Sequence, residues 1–271
     1  MSKNIGIIGG DLRISKLAEL FAKDNYTVHT YALEEMESGG IIKHKSIKDI
    51  TKNTDYIISG TPLTRDGETI LTPLSKETVR IDELFKKLKG KTLIAGSIDE
   101  TIHKLAKENN VGLIDILEKE ELAILNAIPT AEGAIEVAMK ESETTLHGND
   151  SLVIGYGRIG KILSKMLTGI GANVYCTARK QWDLAMIEAM GYNKIVMAEL
   201  ENGLEKYDFI FNTAPAMVLD KSRLSKIKKE CIIVDLASKP GGVDFEVAEE
   251  KGIKAILALR TTRQSRTTYS S

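Results

Sequence analysis

Apolar residues in the first half of the chain fall in short unbroken runs, separated by stretches with helical spacing. Runs lie at 4–8, 27–31, 55–59, 91–95 and 111–115, and residues 14–23 and 99–109 carry apolar positions three and four apart. Short apolar runs suit parallel strands buried on both faces, and amphipathic helices between them supply the crossovers. The second half repeats the pattern, with runs at 152–154, 173–176, 193–197, 207–212, 231–236 and 253–258 and helical segments at 159–167, 182–190, 224–228 and 245–251. Between the halves, residues 129–143 read as one long helix. Pro129 or Thr130 starts it, and Ala134, Ile135, Ala138 and Met139 share a face. The pattern predicts an α/β protein with two parallel-sheet domains, 1–125 and 126–258, joined by that helix.

One turn in the second half carries chemistry. After Leu152-Val153-Ile154 the chain reads Gly155-Tyr156-Gly157-Arg158-Ile159-Gly160, then enters a helix with Ile162, Leu163, Met166 and Leu167 on one side and a further strand at 173–176. Strand, G-x-G-x-x-G, helix, strand is the dinucleotide-binding βαβ unit. The first glycine permits the tight turn, the second lets the main chain approach a pyrophosphate, and the third lets helix and sheet pack closely. The helix N-terminus favours the pyrophosphate charge. The second domain is therefore expected to be a Rossmann domain, and Gly155 to Gly160 to bind the cofactor. A Rossmann-like module that has lost its nucleotide is the plainer alternative. The first domain ends its opening strand in Gly9-Gly10-Asp11, short of a full fingerprint. It reads as a flavodoxin- or Rossmann-like domain without the main cofactor site.

The end of the second strand refines the cofactor. NAD-binding units usually place Asp or Glu there to grip the ribose 2′-hydroxyl. Here Thr177-Ala178-Arg179-Lys180 offers no acid to repel a 2′-phosphate and two cations to pair with one. This favours NADP, with NAD open. The alternative is a solvated Arg179-Lys180 loop with the ribose held by Thr177. Thr213, Ala214 and Pro215, after another strand, complete the cofactor candidates. Ligands in such folds lie outside the carboxyl ends of the strands. Loops 59–62, 96–97, 126–133, 213–217 and 237–244 are therefore expected to face a shared cleft.

Composition narrows the classes. Of 271 residues, 37 are Lys or Arg and 38 Asp or Glu, so there is no basic field for nucleic acid. No apolar stretch approaches the roughly 20 residues of a membrane helix, and no secretory leader is visible, so a soluble cytoplasmic protein is expected. Cys176 and Cys231 lie in apolar runs and read as buried free thiols. No Cys/His cluster has metal-site spacing, so no metal is expected. The charge-rich runs 76–91 and 118–121 read as solvated helix faces or loops, and Met186, Met190 and Met197 as core filling.

Several segments together carry a resemblance: IGIIGGDLR (5–13), ILNAIPTAEGAI (124–135), the stretch 145–174, FNTAPAMVL (211–219) and IIVDLASKPGGVDF (232–245). Over residues 3–258 the chain resembles the A-subunit family of dipicolinate synthases. More widely it resembles the two-domain D-2-hydroxyacid dehydrogenases and adenosylhomocysteinase. The resemblance implies oxidation of a dihydrodipicolinate-type product of the lysine pathway to pyridine-2,6-dicarboxylate, with hydride passing to NADP. It also implies a flavoprotein-like B subunit of dipicolinate synthase as partner and a role in sporulation, in the mother cell. A dicarboxylate substrate needs donors. The N–H groups at Gly60-Thr61 and Gly241-Gly242 and the hydroxyls of Ser59, Thr61, Thr130 and Ser238 are candidates, with Lys239 as a charge; ordinary turn and cap roles are the alternative.

Proton handling is thin. The four histidines, His29, His44, His103 and His147, all precede the fingerprint, so the His–Glu pair of the hydroxyacid dehydrogenases is missing. This favours an imine- or ring-type hydride donor whose proton leaves to water. Glu132 and Asp235 are the candidate catalytic carboxylates. Glu132 is alternatively a first-turn helix acid, and Asp235 a strand-end capping group.

The tail departs from that family, which continues with Pro-Gly-Leu-Pro-Gly-Lys-Val-Ala-Pro and a final helix. Residues 259–271 instead have a composition that suits neither strand nor buried helix and are expected to be disordered. A one-base frameshift or a sequencing error would account for residues 260–267. GGA-CTA-CCA-GGC-AAA-GTC-GCA-CC encodes Gly-Leu-Pro-Gly-Lys-Val-Ala-Pro, and behind one added C it encodes the residues at 260–267 in order. Two other functions stay open: another NAD(P)-dependent dehydrogenase on the same fold, or an NADP(H)-binding subunit without chemistry. A homo-oligomer also stays open.

Overall fold

A computed structural model describes residues 4–34, 39–237 and 241–258. The chain divides into two compact units, Met1–Leu122 and Ala123–Ser271.

In the first unit, β1 (Asn4–Ile8), α1 (Leu12–Lys23), β2 (Thr27–Tyr31), β3 (Ile41–Lys43), α2 (Ile47–Asn53), β4 (Tyr56–Ile58), α3 (Ile81–Lys87), β5 (Thr92–Ala95), α4 (Glu100–Glu108) and β6 (Gly112–Asp115) follow one another. They build a six-stranded parallel sheet ordered β3-β2-β1-β4-β5-β6. Apolar residues project from both faces of β1: Ile8 joins Ile50, Phe85 and Leu93 on one side, and Ile7 joins Ile14, Ala18 and Val28 on the other.

The second unit takes up α5 (Glu120–Glu141), which spans the division, then β7 (Asp150–Ile154), α6 (Arg158–Ile170), β8 (Asn173–Ala178), α7 (Gln181–Ala189), β9 (Asn193–Val196), β10 (Phe209–Asn212), α8 (Lys221–Leu224), β11 (Ile232–Asp235), α9 (Phe245–Glu250) and β12 (Lys254–Leu257). Its sheet is ordered β12-β11-β10-β7-β8-β9. From the other edge this is the same arrangement as in the first unit, with the opening strand at the centre and the order reversing beside it. The alanine stripe of α5, with Leu163 and Leu167 of α6 and Leu184 and Ile187 of α7, covers one face. Both cysteines are free and fully buried here, and burial raises each thiol to about 12.

The two-domain α/β architecture and the linking helix are as the pattern predicts. Several local expectations change. Helix α5 begins at Glu120, so Pro129 lies inside it. Residues 120–128 are mostly strong helix formers, and proline costs the bond its missing N–H would make to the carbonyl four residues back. The Thr130 hydroxyl donates to the Asn126 carbonyl at 2.8 Å just beyond it. Residues 126–133 are accordingly helix, not loop. Among the described residues, α5 is also the one helix long and apolar enough by composition to cross a membrane. It exposes Glu132 and Glu136 and buries Ala127, Ala131, Ala134, Val137 and Ala138.

The run 76–91 is not simply solvated: Leu84, Phe85 and Leu88 are fully buried. Met186 on α7 and Met190 just after it lie about half exposed rather than in the core, whereas Met197 packs against it. The short helix expected at 224–228 forms earlier, because the Asp220 carboxylate caps α8 by accepting from Arg223 N–H.

Candidate functional site

The fingerprint turn follows β7. Gly155 has φ +96°, in the left-handed region that glycine enters without strain. A Cβ there would meet the Thr213 hydroxyl at 2.7 Å, and a Cβ at Gly160 would meet the Gly155 carbonyl oxygen at 2.1 Å. These two glycines are thus fixed by the fold. Gly157 differs: a Cβ there has nothing within 4 Å, so main chain faces open space. Helix α6 starts at Arg158, with Gly157 as its N-cap and no side-chain cap hydrogen bond. An open glycine before an uncapped helix start fits a pyrophosphate.

The supports of this turn come from neighbouring strands. Thr213 follows β10 and donates its hydroxyl to the Ile154 carbonyl at 2.9 Å. Thr177, at the end of β8, accepts from Gly155 N–H at 3.1 Å and is fully buried. It therefore braces the turn and offers no hydroxyl to a ribose, which corrects its place among the cofactor contacts. Tyr156 is also buried by its side chain, edge-on to Tyr192, and burial raises its hydroxyl to about 12. Only its main chain remains for a ligand. Ala178 is buried, whereas Arg158 and Arg179 are exposed and Ile159 packs partly against the core. Arg179 makes no side-chain hydrogen bond or ion pair among the described residues. Ala214 is half-buried and Pro215 exposed.

Asp235 does a different job from the one expected. It is fully buried at the end of β11, and both oxygens are engaged. One accepts from the Asn212 side chain at 2.8 Å and Ala237 N–H at 3.0 Å, the other from Gly242 N–H at 3.0 Å. The carboxylate is spent on holding the loop after β11 against the end of β10, and is not a catalytic base. The Gly242 N–H is likewise committed and unavailable to substrate. A Cβ at Gly242 would lie 2.0 Å from Asn212 Nδ2, so this glycine serves the brace, as does Gly241 at φ +92°. Asn212 escaped sequence reading; its signal is a polar side chain ending a fully apolar strand. Ser238 and Lys239 lie outside the described residues, as does the 259–271 tail.

In the first unit, the Ser59 hydroxyl donates to the Ile8 carbonyl at 2.7 Å and is buried, so it has no proton to offer a ligand. Thr130 spends its proton within α5, and Glu132 is exposed in mid-helix rather than in a first turn. Gly60 is buried and Thr61 partly exposed, beside Gly96 at the end of β5. One residue was not foreseen. Arg13, in the first turn of α1, reaches across to the Thr61 carbonyl at 2.5 Å and pairs with Asp11 at 2.8 Å. It thereby bridges the ends of β1 and β4, where the strand order reverses. Partial burial would raise the Asp11 carboxyl, but the hydrogen bonds and charge of Arg13 outweigh it and hold the group below its usual value. The signal was a cation just after the first βα turn.

Comparison with known proteins bears on both units. Residues 4–117 match the family described as the N-terminal domain of the dipicolinate synthase A subunit. Residues 128–242 match D-isomer specific 2-hydroxyacid dehydrogenase, NAD binding domain. The dipicolinate synthase A subunit of Bacillus subtilis (strain 168) is 31% identical over 258 residues, covering 94% of this chain and 87% of that protein. The crystal structure of the dipicolinate synthase A subunit from Bacillus halodurans superposes with a TM-score of 0.87 at 29% identity, over 95% of this chain and 89% of that one. The A chain of dipicolinate synthase from Bacillus subtilis gives 0.87 at 30% identity, over 95% and 88%.

Proposed function

Because the chain belongs to the A-subunit family of dipicolinate synthases and is an NAD(P)-dependent oxidoreductase, we propose that it oxidises dihydrodipicolinate to dipicolinate with NADP, during sporulation. The observation that carries the cofactor half of this reading is the open main chain at Gly157 between two glycines that the fold cannot replace. Gly155, Gly157 and Gly160 would hold the pyrophosphate with Arg158 and Ile159, and Arg179 the 2′-phosphate. When bound, the nicotinamide supplies the hydride acceptor.

The substrate half rests on family membership and on charge. The ring loses one hydride and one proton as it becomes aromatic, so the protein's task is to orient it and balance two carboxylates. Arg13, with a guanidinium edge facing solvent beside Thr61, supplies a cation for one of them. The N–H groups of Gly60 and Thr61 are further donors. With Asp235 committed to its brace, the proton passes to water rather than to a buried carboxylate. Glu132, exposed and without a side-chain partner among the described residues, is the remaining carboxylate candidate. In this reading the chain works in the mother-cell cytoplasm with a flavoprotein-like B subunit.

A reconstituted assay tests this. The purified chain, its partner protein, freshly generated dihydrodipicolinate and NADP or NAD are mixed, and pyridine dicarboxylate and reduced nicotinamide are followed together. Equimolar appearance of both supports the reading. Cofactor binding by calorimetry without hydride transfer, with or without the partner, would make the chain a binding subunit. Turnover of a hydroxyacid in its place would move it to another dehydrogenase class.

A further inference from the structure

Beside the fingerprint turn lies a cluster of cations around one exposed indole, of which Lys161 and Trp182 have no role above. Lys161 sits one helical turn after Gly157, its N–H donating to the Gly157 carbonyl at 3.0 Å. Its ammonium lies 5.5 Å from the Tyr156 ring centroid and 5.4 Å from that of Trp182. Lys180, next to Arg179, places its ammonium 5.6 Å from the same indole. Trp182 itself, in the first turn of α7, is 59% exposed. Among the described residues Asp183 is the one carboxylate in contact, with Oδ1 4.0 Å from the Lys161 ammonium. That oxygen is buried and has no hydrogen-bond partner, so its charge acts on Lys161 through space. Glu188, further along α7, is paired with Lys194 instead.

The arrangement is unbalanced. Lys161, Arg179 and Lys180 stand against Asp183 alone, an excess of two positive charges at the end of β8. Aromatic faces and one buried oxygen hold Lys161 in place, but they do not offset Arg179 and Lys180. A phosphomonoester carries close to two negative charges near neutral pH and would balance the corner. We infer that Lys161 and Trp182 complete a phosphomonoester-binding corner with Arg179 and Lys180, and that this corner sets the preference for NADP over NAD. The inference rests on the reading that the fingerprint turn holds a dinucleotide. It adds Lys161 as a residue determining cofactor specificity and Trp182 as the surface against which the adenosine end lies.

Trp182 is the single tryptophan of the chain, so its emission reports this corner alone. Titrating 2′,5′-ADP into the full chain is expected to change that emission saturably, with 5′-AMP binding at least about tenfold more weakly. The difference narrows as salt is raised. Lys161→Met is expected to weaken 2′,5′-ADP about tenfold by calorimetry, leave 5′-AMP binding unchanged, and leave the melting temperature close to wild type. Lys161→Arg restores most of the loss. If Lys161→Met leaves the ratio of the two constants at its wild-type value while the wild type still prefers 2′,5′-ADP, the inference fails and the NADP reading stands. If the wild type does not distinguish the two nucleotides, the NADP reading fails and takes the inference with it.

Discussion

The two units share one strand order and differ in what fills the turn after the central strand. In the second unit the turn is open at Gly157, and α6 begins without a side-chain cap. In the first, the Gly10 N–H donates to the Leu71 carbonyl at 2.7 Å, and the Asp11 carboxylate caps α1. A carbonyl and a carboxylate thus engage main-chain N–H groups of the first turn. The same topology gives a ligand cradle in one case and a closed turn in the other. What decides is the 63–80 excursion, which threads Leu63, Ile70 and Val79 into the first core.

The largest effect should come from Gly160→Val. Its side chain would collide with the Gly155 carbonyl, forcing α6 off the sheet. A loss of about 3 kcal/mol or more in denaturant unfolding is expected, together with loss of cofactor binding. Gly10→Ala in the first unit meets Ile14 at 2.6 Å and φ +105°. It should also destabilise, yet leave cofactor affinity as it was; a matching loss of affinity would break the contrast between the units.

Asp235→Ala should cost roughly 2–3 kcal/mol, because the Gly242 N–H and the Asn212 amide lose a buried acceptor. A variant as stable as wild type would overturn the structural role assigned to that carboxylate. Gly157→Ala sharpens the comparison further. With nothing within 4 Å, the melting temperature should hold, while nicotinamide cofactor affinity falls about tenfold or more by calorimetry. Arg13→Gln should raise the dihydrodipicolinate KM about tenfold with cofactor affinity unmoved; a change in cofactor affinity alone would place Arg13 elsewhere.

The smallest effect concerns pH. In the first unit, His29 Nδ1 lies 2.8 Å from His44 Nε2, and burial, then the charge of His44, lowers the His29 pKa below 6.5. The unfolded chain therefore takes up the proton first as pH falls. The contribution is intact above pH 6.5 and is lost as pH drops through that value toward the folded one. Acid melting curves should show a loss of about 1 kcal/mol or less, absent in His29→Phe. Stability that rises on acidification would reverse the assignment.

Much of this was legible in the chain. Unbroken apolar strands and the fingerprint announce themselves because burial on both faces and a phosphate-binding turn constrain consecutive residues. What escaped depends on contacts distant in sequence. β3 has three residues, two of them exposed, and α2 buries only Ile50 and Thr51 along seven residues, too little periodicity to read. The catalytic reading of Asp235 failed because a carboxylate at a strand end looks the same whether it faces a ligand or an Asn212 amide 23 residues away. Thr177 deceived in the same way, since its distance to Gly155 N–H exists only after β7 and β8 pair.

The Leu71 carbonyl has one more consequence. By occupying the Gly10 N–H, it serves as a tethered, permanent occupant of the first turn. A chain with twin halves is then expected to take one coenzyme per polypeptide, and isothermal titration should count one, not two.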